Sequence, residues 1–279
     1  GLGDVYKRQV SEEAFMQPLR KVISKLKLRA SYGQVGNANL GGRRFAYLST
    51  ITDDYETLNM YKWGLDSSYG LTGMAEGEFA VQDLTWEIVN KMNLGVELGF
   101  LNGMIDLQLD YFDERRKDIF MPRESVPMTA GFMKQPWKNF GKVTNQGVEV
   151  SLNVNKQFGK DLFVSLMGTF TYAHNEITEK DEPSAVVGTN RAETGHPVGQ
   201  LTGYIAEGLF TADDFEDVST GKLKEGIPTQ SFVGKLRPGD IRYRDVNGDG
   251  KVDVFDKSPI GGTKDPEIVY GFGLNMKYK

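Results

Sequence analysis

The stretch DVNGDGKVDVFD, residues 245–256, carries the most chemically suggestive spacing in the chain. Counting from Asp245, oxygen-bearing side chains fall at positions 1, 3, 5, 9 and 12, with glycine at position 6. That is close to the arrangement of an EF-hand calcium loop, where alternating oxygens surround the ion and a glycine makes the sharp turn. On this reading Asp245, Asn247 and Asp249 are side-chain ligands. Lys251 contributes its backbone carbonyl, Asp253 acts directly or through water, and Asp256 closes the set. Calcium is thus the one cofactor the residues suggest. The other reading is a turn whose Asx side chains bond their own backbone amides. No EF-hand helices are expected, because the flanks GDIRYR and EIVYGFGLNMKYK alternate like strands.

Other reactive groupings are sparse. Cysteine is absent, which removes thiolate ligands, disulfides and cysteine nucleophiles. The histidines, His174 and His196, sit in no hydrolase or metal-ligand motif, and no phosphate-binding glycine loop is present. Carboxylate pairs such as Asp53/Asp54 and Asp213/Asp214 are adjacent loop residues, where solvated charge is the default. Catalysis is not expected, and no catalytic residue is assigned. With 33 Lys and Arg against 38 Asp and Glu, the net charge of −5 also speaks against nucleic acid as a partner.

The elements around these residues are strands. KLKLRASYGQ puts Leu26, Leu28, Ala30 and Tyr32 on one face and Lys25, Lys27, Arg29 and Ser31 on the other. KMNLGVELGF, the turn LNG and MIDLQLDYFD read as a hairpin. Its apolar face carries Met92, Leu94, Val96, Leu98, Phe100, Ile105, Leu107, Leu109 and Tyr111. GVEVSLNVN, FGKD and LFVSLMGTFTY repeat the plan. Each strand reads as about ten residues, the length of a tilted membrane-spanning strand. Tight turns at 101–103 and 158–161 alternate with long linkers near 33–87, 113–145 and 174–197. Loops of that length are uncommon in compact soluble domains and usual on one side of an outer-membrane barrel. The expected fold class is therefore all-β, an antiparallel transmembrane β-barrel with long extracellular loops. A soluble β-sandwich, secreted or surface-anchored and binding glycans through a calcium-stabilised loop, is the rival. No apolar run approaches the ~18 residues of a membrane helix.

On this register Asn93, Glu97, Asp106, Gln108, Asp110 and Glu149 face the lumen. The loop aromatics Tyr55, Tyr61, Trp63 and Trp137 could stack on sugars, or belong to interfacial girdles and loop packing, and Trp86 suits a rim. Substrate-binding residues are not assigned. SEEAFMQPLRKVIS has helical potential. Residues 1–9, GLGDVYKRQ, lack an initiator methionine and resemble an adapter-derived tail, so they are left out of the fold, which is read over residues 10–279. The chain also stops at Lys279 inside an alternating pattern.

Several segments, in order, resemble the C-terminal barrel of SusC/RagA-type TonB-dependent outer-membrane transporters. They are LKLRASYGQVGNANLG (26–41), DLTWEIVNKMNLGVELGFLNG (83–103), NFGKVTNQGVEVSL (139–152), GHPVGQLTGYIAEGLF (195–210) and PGDIRYRDVNGDGKVDVFDKSPIG (238–261). The resemblance implies a Bacteroidetes-type outer-membrane importer of oligosaccharides or peptides, energised by the TonB complex and paired with a SusD-like lipoprotein. It also implies a parent barrel of ~22 strands around a plug. The final strands and the plug are not in this sequence, which carries about eight to eleven strands on the same pattern. If the tight turns are periplasmic, strand parity places DVNGDGKVDVFD in an extracellular loop.

Overall fold

A computed structural model describes residues 2–52, 61–65, 69–71, 74–132 and 134–279. Tyr55 and the Asp53/Asp54 pair lie outside these residues. The chain divides into two compact units. The first comprises Gly1–Asp181 with Glu267–Lys279, and the second is Glu182–Pro266.

The first unit is built on a seven-stranded sheet in which every neighbouring pair is antiparallel. Its strands are β1 (Leu2–Gln9), β2 (Ile23–Asn37), β3 (Glu87–Phe100), β4 (Ile105–Pro122), β5 (Trp137–Phe158), β6 (Leu162–Glu179) and β7 (Ile268–Tyr278). They pair in chain order, as an up-and-down barrel wall requires. β6 pairs directly with β7, so no strand of this sheet lies between LFVSLMGTFTY and EIVYGFGLNMKYK. At β3–β4 the chain reverses through Leu101, Asn102 and Gly103, all with positive φ, which is why Asn-Gly is favoured there.

Register divides the two faces cleanly. Leu28, Val96, Leu109, Val150, Phe170 and Tyr270 form one continuous cross-strand row from β2 to β7. One residue along, Arg29, Gly95, Asp110, Glu149, Thr171 and Val269 form the next row on the opposite face. The apolar row is not a core. Leu28 is 46% exposed, Leu109 38% and Tyr270 73%. A sandwich would cover such a face with a second sheet. Here the remaining sheets are two-stranded pieces, so the sandwich alternative fails. An apolar face presented outward with a polar face behind it is the pattern of a barrel wall in lipid.

The structure departs from the sequence reading in four places. The strands are longer than ten residues: β4 and β6 have 18 and β5 has 22. At ~3.3 Å per residue β5 spans about 70 Å of chain, more than twice a ~30 Å hydrocarbon core. Alternation stops in DERRKD, which puts charged residues on both faces, yet backbone pairing continues there with WKNFGKVTN. The linker read as 113–145 accordingly shrinks to 123–136. The main sheet also has fewer strands than the eight to eleven expected. Residues 2–9, left out of the sequence reading, form the edge strand β1. It ignores the alternation, putting Asp4 and Arg8 in register with Tyr32 and Leu28 on the apolar face. Backbone pairing at a free sheet edge needs no side-chain pattern. The SEEAFMQPLRKVIS segment takes up only 3₁₀ turns, Val10–Glu12 and Ala14–Leu19.

On the polar face, cations of β2 reach over β3. Glu97 meets Lys25 at 2.7 Å, Lys27 at 3.1 Å and Arg29 Nε at 3.0 Å. The last is a charge contact without hydrogen-bond alignment, since Arg29 Nε has no hydrogen-bond partner. Arg29 Nη2 continues to both oxygens of Asp110 at 2.9 Å, and Gln108 donates to the same carboxylate at 2.8 Å. Gly95 makes this possible. A Cβ there would lie 2.5 Å from Asp110 Oδ1 and 2.9 Å from Arg29 Nη2.

Gly95→Val should therefore cost the full-length protein about 1–3 kcal/mol by overpacking and lower the urea midpoint of its folded, heat-modifiable band. Gly168→Ala, where an added Cβ meets nothing within 4 Å, is expected to leave that midpoint unchanged.

Candidate functional site

The second unit, residues 182–266, connects β6 to β7 and contains the calcium-type loop. Its strands are two to six residues long and pair two by two. Gln200–Gly203 lies against Ser258–Thr263, Ala206–Leu209 against Ile241–Tyr243, Phe215–Asp217 against Lys222–Leu223, and Thr229–Gln230 runs parallel to Lys251–Val252. Phe210, Phe215 and Leu236 form its buried core, with Leu223, Ile227 and Val233 packed around them. The buried Gln230 amide bridges two segments, donating to the Ile241 carbonyl and accepting from the Tyr243 N–H.

Within the 245–256 loop each Asx side chain accepts from a loop amide. Asp245 takes the N–H groups of Gly248 at 2.7 Å and Gly250 at 2.8 Å. Asn247 takes that of Asp249, and Asp249 that of Lys251, both at 2.9 Å. Asp253 caps the 3₁₀ turn Val254–Asp256 by accepting from Phe255 N–H at 2.8 Å. Gly248 and Gly250 both have positive φ, which their lack of a Cβ permits.

Asp256 differs from the rest. Its side chain is fully buried, and it accepts from Val246 at 2.8 Å, Asn247 at 3.3 Å and Asp253 at 2.7 Å. The carboxylate at the twelfth position thus ties the loop's end to its beginning and to the cap. The remaining oxygens, on Asp245, Asn247 and Asp249, lie toward the exposed end, with the Lys251 carbonyl following. Among the described residues no three His, Cys, Asp or Glu side chains gather into a metal-holding group.

Acidic groups elsewhere serve similar anchoring roles. Burial raises the Asp181 carboxyl, but the N–H and hydroxyl of Ser125 and the Arg123 guanidinium outweigh it and hold the group below its ordinary value. Asp214 is held low by the Thr211 N–H and hydroxyl, closing a capping box. His174 Nδ1 lies 2.6 Å from Glu267, linking the upper part of β6 to the approach to β7.

Among the loop aromatics, the Trp137 and Trp86 rings are occupied. Arg43 stacks 4.3 Å over Trp137, the first residue of β5, and Phe120 packs 5.1 Å from the same ring. Trp86 lies against Gly36, where an added Cβ would come within 2.6 Å of the ring. Tyr61 and Trp63 belong to a short strand paired with Tyr69–Leu71. Asn139 was not singled out by sequence. Its amide oxygen accepts from Thr85 N–H, and its amide nitrogen serves the carbonyls of Thr85 and Asp118, the latter with positive φ at the β4 bulge. The Arg29–Glu97–Asp110 network was likewise missed, although the K-x-K-x-R alternation of β2 was a readable trace of it.

Residues 18–262 match the family described as TonB dependent receptor-like, beta-barrel. The chain belongs to this family. SusC of Bacteroides thetaiotaomicron is 28% identical over 289 residues, which cover 97% of this chain and 25% of SusC. A TonB-dependent receptor of Formosa agariphila is 28% identical over 280 residues, again 97% of this chain and 26% of the relative. The chain therefore spans about a quarter of the length of these relatives. The RagAB peptide transporter shares the fold, with a TM-score of 0.66 at 21% identity, over 99% of this chain and 27% of that one. TonB-dependent receptors are outer-membrane receptors and transporters.

Asp256→Ala should leave three amides without their acceptor and cost on the order of 3 kcal/mol. Proteolytic cleavage within 182–266 of the full-length protein should then rise about a hundredfold. Asp249→Ala, at an exposed side chain that accepts only from the Lys251 N–H and, at 3.3 Å, the Asn247 amide, should cost about 1 kcal/mol or less in the same assay.

Proposed function

We propose that this chain forms part of the wall of an outer-membrane importer for oligosaccharides or peptides. In this reading β2–β7 cross the membrane with Leu28, Val96, Leu109 and their row toward lipid. The charged row headed by Arg29 and Asp110 faces the water-filled, plug-bearing lumen. The observation that carries it is a single sheet in a TonB-dependent receptor chain, polar on one face and apolar but exposed on the other. The long connections 38–86, 123–136 and 180–267 all leave one end of the sheet and the tight turns the other, which supports an extracellular loop side. There a SusD-like lipoprotein would cover the entrance. The TonB complex would act through parts of the protein outside this chain. The wall itself carries no catalytic role.

Deleting the gene for the full-length protein should abolish growth on its oligosaccharide or peptide nutrient and uptake of the labelled compound. Complementation with the intact gene should restore both. Unchanged uptake across a panel of both substrate classes would overturn import. If only peptides fail to enter, the oligosaccharide branch falls.

Calcium at the 245–256 loop is a separate proposal. Its support is the alternation of Asp245, Asn247 and Asp249 along one exposed turn, with the Lys251 carbonyl and Asp253 beyond. Asp256 would hold the loop's shape, and the amide-bound carboxylates would turn toward the ion. Calorimetric titration of the full-length protein with Ca²⁺ should give saturable heat that Asp245→Ala with Asp249→Ala removes. A flat isotherm together with an unchanged Tm would overturn it.

A further inference from the structure

The second unit contains a cleft of about 340 Å³, separate from the Asx-held turn but adjoining its end. Two strips of chain face each other across it, Arg191–Thr202 and Val254–Pro259. Both are fixed by side-chain bonds. The Asn190 amide donates to the carbonyls of Phe255 at 3.0 Å and Lys257 at 2.8 Å, so the two strips are pinned beside the cleft. The buried Glu182 carboxylate accepts from Glu193 N–H at 2.6 Å and from the Thr194 hydroxyl at 2.7 Å, holding the next turn. The fully buried Asp256 is the residue just before Lys257, so the amide capture described above also positions the cleft's far wall.

The polar lining is Arg191, Glu193, His196, Gln200, Thr202 and Lys257. Two permanent cations thus face one carboxylate. Among the described residues neither Arg191 nor Lys257 has a carboxylate partner. Their charges rest instead on aromatic faces, Arg191 4.9 Å from the Phe255 ring centre and Lys257 5.7 Å from that of Tyr204. A cation–π contact orients a cation while leaving its N–H donors free for an anion. Gln200 directs its amide nitrogen to the carbonyls of Leu201, Ile260 and Gly262, which leaves its oxygen to accept from a hydroxyl or an N–H. Pro197, Val254 and Pro259 supply an apolar wall. The volume lies at the small end for ligand sites and suits one sugar ring or a terminal amino-acid residue.

We propose that this cleft binds a carboxylate carried on a small polar unit, with Arg191 and Lys257 as the partners of the anion. The ligand chemistry is that of a uronic-acid ring or of the C-terminal residue of a peptide. The inference rests on the import reading for that choice of ligand class. The positive pair selects the charge, the Gln200 oxygen takes a neighbouring donor, and the proline–valine wall takes the apolar face of the ring or side chain.

The test is calorimetric binding to the full-length protein in detergent with matched probes, trigalacturonate against its methyl ester and trialanine against its C-terminal amide. One acid should bind about tenfold or more tighter than its neutral counterpart, the ratio a charge-assisted hydrogen bond gives. The arm that shows the preference identifies the source of the carboxylate. Arg191→Gln with Lys257→Gln should reduce acid binding to the neutral level, whereas Arg191→Lys should preserve the preference. Equal binding of acid and neutral probes in both arms overturns the proposal, as does a preference that survives the double substitution. An uptake-negative protein that still shows the charge-dependent binding would sink import and leave this site standing. An uptake-positive protein without the preference would do the reverse.

Discussion

A strand inside hydrocarbon has no water to satisfy its backbone, so every N–H and C=O must find a neighbouring strand. That requirement fixes the rest of the first unit. Consecutive antiparallel pairing from β2 to β7 meets it with tight turns at one end. Once pairing is fixed, side chains must alternate, because adjacent residues point to opposite faces of the pleat. The Leu28–Tyr270 row and the Arg29–Val269 row follow from that geometry. A slip of one residue between β3 and β4 would send Asp110 into lipid and Leu109 into the lumen. The charges on the polar face therefore guard the register as well as the solvent preference.

How those charges coexist depends on glycine. Arg29 and Asp110 sit on strands separated by β3, and only the missing side chain at Gly95 lets them touch. Glu97 gathers three cations from alternate positions of one strand, Lys25, Lys27 and Arg29. A fully exposed pair contributes little, on the order of 0–1 kcal/mol, but Glu97 and Asp110 are largely shielded from solvent. A lattice over neighbouring strands is different in effect, since each member is placed by the others and by the sheet. Three cations and two carboxylates largely compensate one another over this patch of the polar face.

The faces of this wall were legible in the sequence because period-two alternation survives wherever one side meets lipid. Leu94–Gly95–Val96 and Leu107–Gln108–Leu109 state their orientation directly, and Asn102–Gly103 states the turn. Strand ends were not legible. In DERRKD both faces are charged, so pairing continues without any pattern to report it. The second unit was opaque for another reason. Its strands are too short to show a period, and its core residues Phe210, Phe215 and Leu236 come together from separate loops. The 245–256 loop was legible as a turn, but the fate of Asp256 was not. A carboxylate spaced to close a metal site and one spaced to cap its own turn are written with the same letters. Only the folded chain shows what the Asp256 carboxylate touches, and the contacts that hold its neighbours, such as Asn190 to Phe255, reach across 65 residues.

The two units answer different constraints. The wall is bound by its solvent, so in the alternating stretches of β3 and β5 a residue's character is decided by which face it occupies. The second unit carries no such rule and is free to invest in local anchors. Asp256, Glu182, Gln230 and Asn190 each satisfy several backbone groups from one side chain. Anchors of that kind let a segment with little regular structure hold a defined shape, and they leave the side chains between them outside the buried core. Arg191 and Lys257 occupy such positions, each next to an anchored residue and neither needed for the core. Variation in ligand preference across related chains should therefore concentrate beside the anchors, at 191, 196 and 257, while Asn190 and Asp256 are held by the backbone they support.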